Sequence, residues 1–254
     1  MTAPLVHVER RGPIRVLTLD SPHNRNALSS RLLDELAVGL RDATTDDAVR
    51  VIVLTGTGTV FCSGADLSEA KTAITSGLSD ILTTITTSRA PVICRVNGHA
   101  RAGGLGLIAA CDMAAAAAAS TFGFSEVRVG VAPAMIMVPA LPVTTRRFLT
   151  QMTLTGEPFG APQAAAAGLL TAVVDDEDAL RAWVDGVIAA VLKSAPGAVA
   201  ATKALLHQLP DMGWAEALAV AQARSAELFG GAEATEGMDA FLHKRTPSWD
   251  VSGA

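Results

Sequence analysis

The sequence predicts an α/β body built as a spiral of strand–strand–helix units, continued by a helical C-terminal third. Three observations carry this. In the first 130 residues β-type runs, small-residue turns and helical patterns recur at a loose spacing of roughly 40 residues, which favours a coiled arrangement over a doubly wound sheet. After about residue 145 helical periodicity takes over. Pro and Gly are spread along the chain, so no linker divides it. Residues 1–195 and 196–254 are expected to be the α/β core and the helical region of one globular unit.

The elements follow in order. Val6-His7-Val8-Glu9 and Ile14 to Leu19 flank Arg11-Gly12-Pro13, which reads as a hairpin. Ser29 or Ser30 is an N-cap for a helix with Leu32, Leu33, Leu36 and Leu40 on one face. Val49 to Leu54 is a buried strand, 68–88 a polar helix of weak periodicity, and Pro91 to Val96 a further strand closed by Asn97-Gly98. The alanines 114–119 favour a helix by propensity, but their place between Asp112 and Thr121-Phe122-Gly123 predicts a short strand. In 178–193 Leu180, Trp183, Val184, Val187, Ile188 and Val191 form one stripe, and helical patterns recur at 197–209, 214–229 and 233–244.

Composition narrows the function classes. Half of the 254 residues are hydrophobic, 18 % are charged, and the net charge is −5. That hydrophobicity excludes disorder, and the lack of basic excess argues against a nucleic-acid surface. An average domain carries about 25 % charged residues, so the chain is roughly 18 charges short. Burial of surface against copies of itself is one explanation. The N-terminus has neither the basic nor the apolar region of a signal peptide, and no apolar run is long enough for a membrane span, so a cytoplasmic protein is expected. Cys62, Cys94 and Cys111 read as reduced, partly buried thiols, and the five scattered histidines suggest no metal site.

Two glycine-containing segments carry the chemistry. Phe61-Cys62-Ser63-Gly64-Ala65-Asp66-Leu67 follows one strand, and Asn97 to Gly106 follows the next. Each reads as a strand, a small-residue loop and a helix start, a geometry that aims free backbone N–H groups at an anion. Two such loops facing one point would make an oxyanion hole from backbone alone. The bland alternative is a pair of turns that use glycine for its positive φ. Gly104-Leu105-Gly106-Leu107-Ile108-Ala109 also fits GxGxxA, with Glu126 about 20 residues on, but its glycines begin too far past the strand for a dinucleotide site. Glu126 itself sits among apolar and small residues after Phe122 and Phe124. Desolvation raises a carboxyl's pKa there and suits it to proton transfer, whereas pairing with Arg128 on a surface strand is the structural alternative. Cys62 and Ser63 lack a nearby histidine to activate them as nucleophiles.

Ser63-Gly64-Ala65-Asp66-Leu67, Asn97-Gly98-x-Ala100-x-x-Gly103-Gly104, Cys111-Asp112 and Glu126-Val127-Arg128-x-Gly130 are collinear with Leu154-Thr155-Gly156-Glu157, Ala167-Gly168-Leu169-Leu170 and Glu236-Gly237-Met238-x-Ala240-Phe241-x-x-Lys244-Arg245. In joint order these resemble the enoyl-CoA hydratase/isomerase (crotonase) family over nearly the whole chain. The resemblance implies a crotonase-like spiral of ββα units, acyl-CoA thioester substrates, fatty-acid metabolism, and a homotrimer or a hexamer (dimer of trimers) formed through the helical C-terminal region. It implies an enolate held by the backbone N–H groups of Ala65 and Gly103, with no metal and no cofactor beyond the substrate's own coenzyme A. Asn26-Ala27-Leu28 resembles the family's early coenzyme A-contacting loop. Ser63, Gly64, Ala65, Asp66, Leu67, Gly104 and Lys244 are the further residues expected at the substrate.

One departure bears on the reaction. Hydratases of the family use two glutamates; one maps to Glu126 and the other to Gly106, which has no side chain. A single carboxylate suits double-bond isomerisation, while the stretch from Glu126 to Ala134 looks like hydratase sequences. The expectation is an enoyl-CoA hydratase with Glu126 as acid and base. A delta isomerase and an acyl-CoA-binding protein without turnover are the alternatives. Asp66 is a conceivable substitute acid, or else the cap of the next helix. Arg101 is placed to touch substrate or an interface, and residues 68–88 and 131–145, with Met135, Ile136, Met137 and Val138, are expected to line the acyl site or the core.

Overall fold

The computed structural model describes residues 3–69 and 71–252, with the side chains of residues 71–76 outside that description. A hairpin opens the chain, β1 (Val6–Arg11) antiparallel to β2 (Ile14–Leu19), and α1 (Ser30–Thr45) comes next. Ser29 caps α1 by accepting from the Leu32 N–H at 3.2 Å, and Leu32, Leu33, Leu36 and Leu40 are its buried face. Three units then repeat. The first is β3 (Val51–Gly56), β4 (Val60–Cys62) and α2 (Lys71–Thr87). The second is β5 (Val92–Val96), β6 (His99–Arg101) and α3 (Gly103–Ala110). The third is β7 (Met113–Ala117), β8 (Thr121–Gly123), a 3-10 turn (Glu126–Val129) and α4 (Ala134–Val143).

Each unit places its first strand in a six-stranded sheet of order β1-β2-β3-β5-β7-β10 and its second in a four-stranded sheet of order β4-β6-β8-β9. That is the spiral expected from the recurrence. The chain closes both sheets through α5 (Arg146–Thr155), β9 (Phe159–Gly160), α6 (Ala161–Ala167) and β10 (Ala172–Val174). From β2 to β10 all neighbours in the larger sheet are parallel. β3 is buried at every residue, which explains its unbroken apolar run. β7 is a strand despite its alanines, because β5 and β10 pair with it on both sides and tertiary context overrides propensity. α7 (Glu177–Leu192) lays Leu180, Val184, Ile188 and Leu192 inward and covers Val51, Val53 and Ile93.

The last third is helical: α8 (Pro196–Gln208), α9 (Trp214–Phe229) and α10 (Ala232–Leu242). α9 buries none of its residues. Among the described residues no single helix is long and apolar enough to cross a membrane.

Several boundaries differ from expectation. The strand predicted at 49–54 runs over Val51–Gly56. The segment 97–106 is not one loop, since His99–Arg101 is captured as a strand between β4 and β8 and the helix begins at Gly103. The short elements from α4 to β10 left no periodicity strong enough to predict. The expected acyl-site segment 68–88 includes residue 70, and side chains of 71–76, that lie outside the described residues.

Candidate active site at three parallel strand ends

β4, β6 and β8 are consecutive parallel neighbours in the smaller sheet. Beyond their C-terminal ends come, in turn, Ala65, Gly103 and Glu126. Adjacent parallel strands all release their outgoing loops at one edge of the sheet, where open α/β sheets bind ligands. The residues singled out from sequence are thus brought together by topology.

The two loops touch. Gly64 has φ +94°, and a Cβ there would stand 2.8 Å from the Ala102 Cβ and 3.7 Å from the Gly103 nitrogen. Leu28 bridges to Ala65 in parallel register: its N–H donates to the Gly64 carbonyl at 2.7 Å, and its own carbonyl accepts from the Asp66 N–H at 3.2 Å. A Cβ on Gly103 would meet the Leu28 Cδ1 at 2.7 Å. A larger residue at 103 would have to displace the Leu28 side chain, which is itself fully buried. The N–H groups of Ala65 and Gly103 find no acceptor among the described residues. Such a pair of preorganised donors is equipped to hold an oxyanion. Ala102, at the entry to α3, adopts φ +47° and ψ −120°, a conformation L-residues rarely take, so strain is stored beside Gly103.

Glu126 opens the 3-10 turn beyond β8. The Ala102 N–H donates to the Gly123 carbonyl at 3.0 Å, which stitches the Gly103 loop to the strand that carries Glu126. The Glu126 Oε2 is buried and has no hydrogen-bond partner among the described residues, and burial holds its carboxyl above the usual range. The alternative of a surface pair with Arg128 is overturned, because Arg128 binds Glu157 and the Thr155 carbonyl instead.

The remaining sites sort by what their side chains do. The Asn26 side chain is buried, accepting from the Ser21 N–H and donating to the carbonyls of Thr57 and Val60, so it shapes the Arg25–Leu28 loop. Arg25 and Asn26 are consecutive at φ +59° and +55°. Ala27 and Leu28 are buried behind it. Ser63 is tied back to the same loop, its N–H donating to the Arg25 carbonyl and its hydroxyl to the Asn24 carbonyl. Leu67, two residues past Ala65, is 76 % exposed. Asp66 does not cap α2, which starts further on; its carboxylate accepts from the Ser68 hydroxyl and N–H. Those bonds hold it below the usual range, with Asn24 adding to them, which makes it a poor substitute acid. Cys62 is buried and its thiol is pushed up to about 12, so it is no nucleophile.

Gly104 packs on Cys62, where a Cβ would lie 2.9 Å from its carbonyl oxygen. Gly104 to Ala109 lie inside α3, buried throughout, so the GxGxxA reading fails for want of an open turn. Arg101 touches the chain itself, donating to the Ala100 and Thr121 carbonyls and the Thr121 hydroxyl, and so clamps β6 to β8. Lys244 is exposed past the end of α10, at φ +52°, and is not among the residues the strand ends assemble. Its neighbour Arg245 is fully engaged by Glu236 and Asp239. Ile136, expected at the acyl site or in the core, is buried, and its contact with Gly106 is what sequence reasoning missed. A Cβ on Gly106 would come within 2.6 Å of the Ile136 Cγ2, so an apolar side chain from α4 closes that position. Thirty residues apart, the two carry no local signal of their contact.

Fold and site together define a class of protein: a spiral α/β chain that presents at a shared strand edge one desolvated carboxylate and two backbone amides without an acceptor among the described residues. The chain belongs to the enoyl-CoA hydratase/isomerase family, whose model matches residues 9–252. It is 33 % identical over 259 residues to enoyl-CoA hydratase domain-containing protein 3, mitochondrial, of Danio rerio, covering 98 % of this chain and 88 % of that one. It is 32 % identical to the 2,3-dehydroadipyl-CoA hydratase of Escherichia coli, covering 95 % and 97 %. The crystal structure of an enoyl-CoA hydratase from Mycobacterium smegmatis superposes with a TM-score of 0.92 at 32 % identity, over 97 % of this chain and 99 % of the other.

Proposed function

We propose that the protein adds water across the 2,3 double bond of an enoyl-CoA thioester. The observation that carries this is the buried, unpartnered Glu126 Oε2 beyond the strand next to the one that presents the free Gly103 N–H. In this reading the thioester oxygen accepts from the Ala65 and Gly103 N–H groups. Glu126 takes a proton from water as the water oxygen bonds to C3, and the π electrons move to the enolate oxygen. The enolate then collapses as the Glu126 carboxylic acid returns a proton to C2, which regenerates the carboxylate. Coenzyme A lies along Asn26, Ala27 and Leu28 and the Ser63–Leu67 loop, and Gly104, packed on Cys62, keeps the start of α3 close behind the Gly103 N–H that faces the substrate. Lys244 meets a coenzyme A phosphate, from the same subunit or a neighbour. The exposed apolar residues of the C-terminal helices support assembly as a trimer or a dimer of trimers.

A second reading is favoured by Ile136, which occupies the space a second acid would need at Gly106. One carboxylate alone suffices to move a proton from C2 to C4 of a 3-enoyl-CoA. The test pairs Glu126→Gln with two substrates. Wild-type loss of the enoyl absorbance of crotonyl-CoA supports hydration; gain of that absorbance from a 3-enoyl-CoA supports isomerisation. The variant should lose turnover by about 100-fold or more and keep acyl-CoA binding. Unchanged turnover removes Glu126 from the mechanism.

A further inference from the structure

Glu126 sits in a single 3-10 turn, and a turn that short needs an outside anchor to aim a side chain. Its internal bonds only close the turn on itself: the Arg128 N–H donates to the Ser125 carbonyl, Gly130 to Val127, and Val131 to Glu126. Among the described residues, the hydrogen bonds that tie 126–129 to another element all come from the Arg128 side chain. Its Nη2 donates to the Glu157 carboxylate and its Nε to the Thr155 carbonyl. Its aliphatic stem lies on Gly156, where a Cβ would come within 2.9 Å of the Arg128 Cγ. Gly156 is therefore required twice, for this contact and for its φ of +66° at the end of α5. α5 in turn is seated in the core through Leu149, Met152 and Thr153.

From this clamp we propose that Arg128, through Glu157, Thr155 and Gly156, is a positioning residue that holds the Glu126 turn in register with the Gly103 loop. The proposal rests on Glu126 being the acid/base. The Arg128–Glu157 pair is half-exposed, and such pairs contribute little to global stability. Its effect is on aim, and a misplacement near 1 Å costs about 100-fold in rate. It also gives the Thr155-Gly156-Glu157 segment a task in this chain.

The test measures kcat, KM and melting temperature for Arg128→Ala, Arg128→Lys, Glu157→Gln and the double variant Arg128→Ala/Glu157→Gln. Kinetics use whichever enoyl-CoA the wild type turns over. Arg128→Ala should lower kcat by about 10- to 100-fold with KM changed less than about threefold, and Arg128→Lys should recover part of it. The double variant should be no slower than Arg128→Ala, because the two act as one clamp. Melting temperatures should stay within about 4 °C of wild type. Wild-type kcat in Arg128→Ala, or kcat losses that multiply in the double variant, would overturn the proposal. A kcat loss that disappears when assays are run well below each variant's melting temperature would do so too. If Glu126→Gln keeps full turnover, it is the acid/base reading that has failed; if that variant is inactive while Arg128→Ala is not, the clamp has failed.

Discussion

Among the described residues, Glu126 is the one carboxyl whose environment raises its pKa, and desolvation is the cause. As a base it must be ionised, so turnover should rise with pH through a limb above the ordinary glutamate value of about 4.3. The same shift has a sign in stability. The folded state holds the proton more tightly than the unfolded chain, so stability is lost as pH rises from the unfolded to the folded pKa. Glu126→Gln should therefore melt higher than wild type at pH 7 and no higher at pH 3; the same difference at both pH values would show that the carboxylate is solvated. Gly106 offers a second test. Gly106→Ala should cost about 1–3 kcal/mol by overpacking against Ile136, and Ile136→Ala in the same chain should recover part of that. A double-mutant cycle by urea unfolding measures the coupling. The apolar setting of Glu126 is legible in sequence because its neighbours are local. The Ile136 contact is not, because it depends on how α3 and α4 pack.

At the scale of elements, the C-terminal helices are joined to the body by polar side chains more than by apolar burial. Lys203 on α8 is 6 % exposed; its Nζ donates to the Asp112 carboxylate at 2.7 Å and the Ile85 carbonyl at 2.8 Å. Asp112 also accepts from the Val92 N–H, so one carboxylate ties α8 to the start of β5. Arg50 makes a second joint, donating to the Trp249 carbonyl at 3.0 Å. Removing one partner of a buried pair strands the other charge, so Lys203→Ala should lower unfolding free energy by about 3–5 kcal/mol. Chemical denaturation reads that value, and a loss under about 1 kcal/mol would show that water replaces the ammonium. Helix periodicity announced α8, α9 and α10. That a lysine anchors the first of them was not readable, since Lys203 on a helix resembles any solvated lysine until Asp112 is placed opposite it.

At the scale of the whole molecule, that same region exposes large apolar side chains. A compact monomer of this mass exposes about 10,500 Å², whereas this chain exposes 13,056 Å². Among the exposed apolar side chains are Trp214 at 85 %, Phe241 at 83 %, Leu242 at 75 % and Phe229 at 71 %, all on α9 and α10. Single scattered apolar residues need no explanation, but large exposed aromatics gathered on two helices are the kind of surface a subunit interface uses. The expected outcome of sedimentation analysis is a trimer or hexamer, with Trp214→Glu/Phe241→Glu shifting it toward monomer. A monomeric wild type at micromolar concentration would contradict that.

Local sequence was enough to set the spiral class, the hairpin, the amphipathic helices and the two glycine loops, because each arises from periodicity, turn chemistry and small residues in fixed order. It also singled out Glu126, while the resemblance to the family picked Ala65 and Gly103 out of the two loops. Packing in three dimensions was needed to lay β4, β6 and β8 side by side and so deliver those three residues to one edge. Packing likewise turned Arg128 to Glu157 rather than Glu126 and filled the space at Gly106 with Ile136. The reason is physical. Periodicity reports which face of an element is buried, while the identity of the neighbour across that face depends on how the spiral stacks residues distant in the chain.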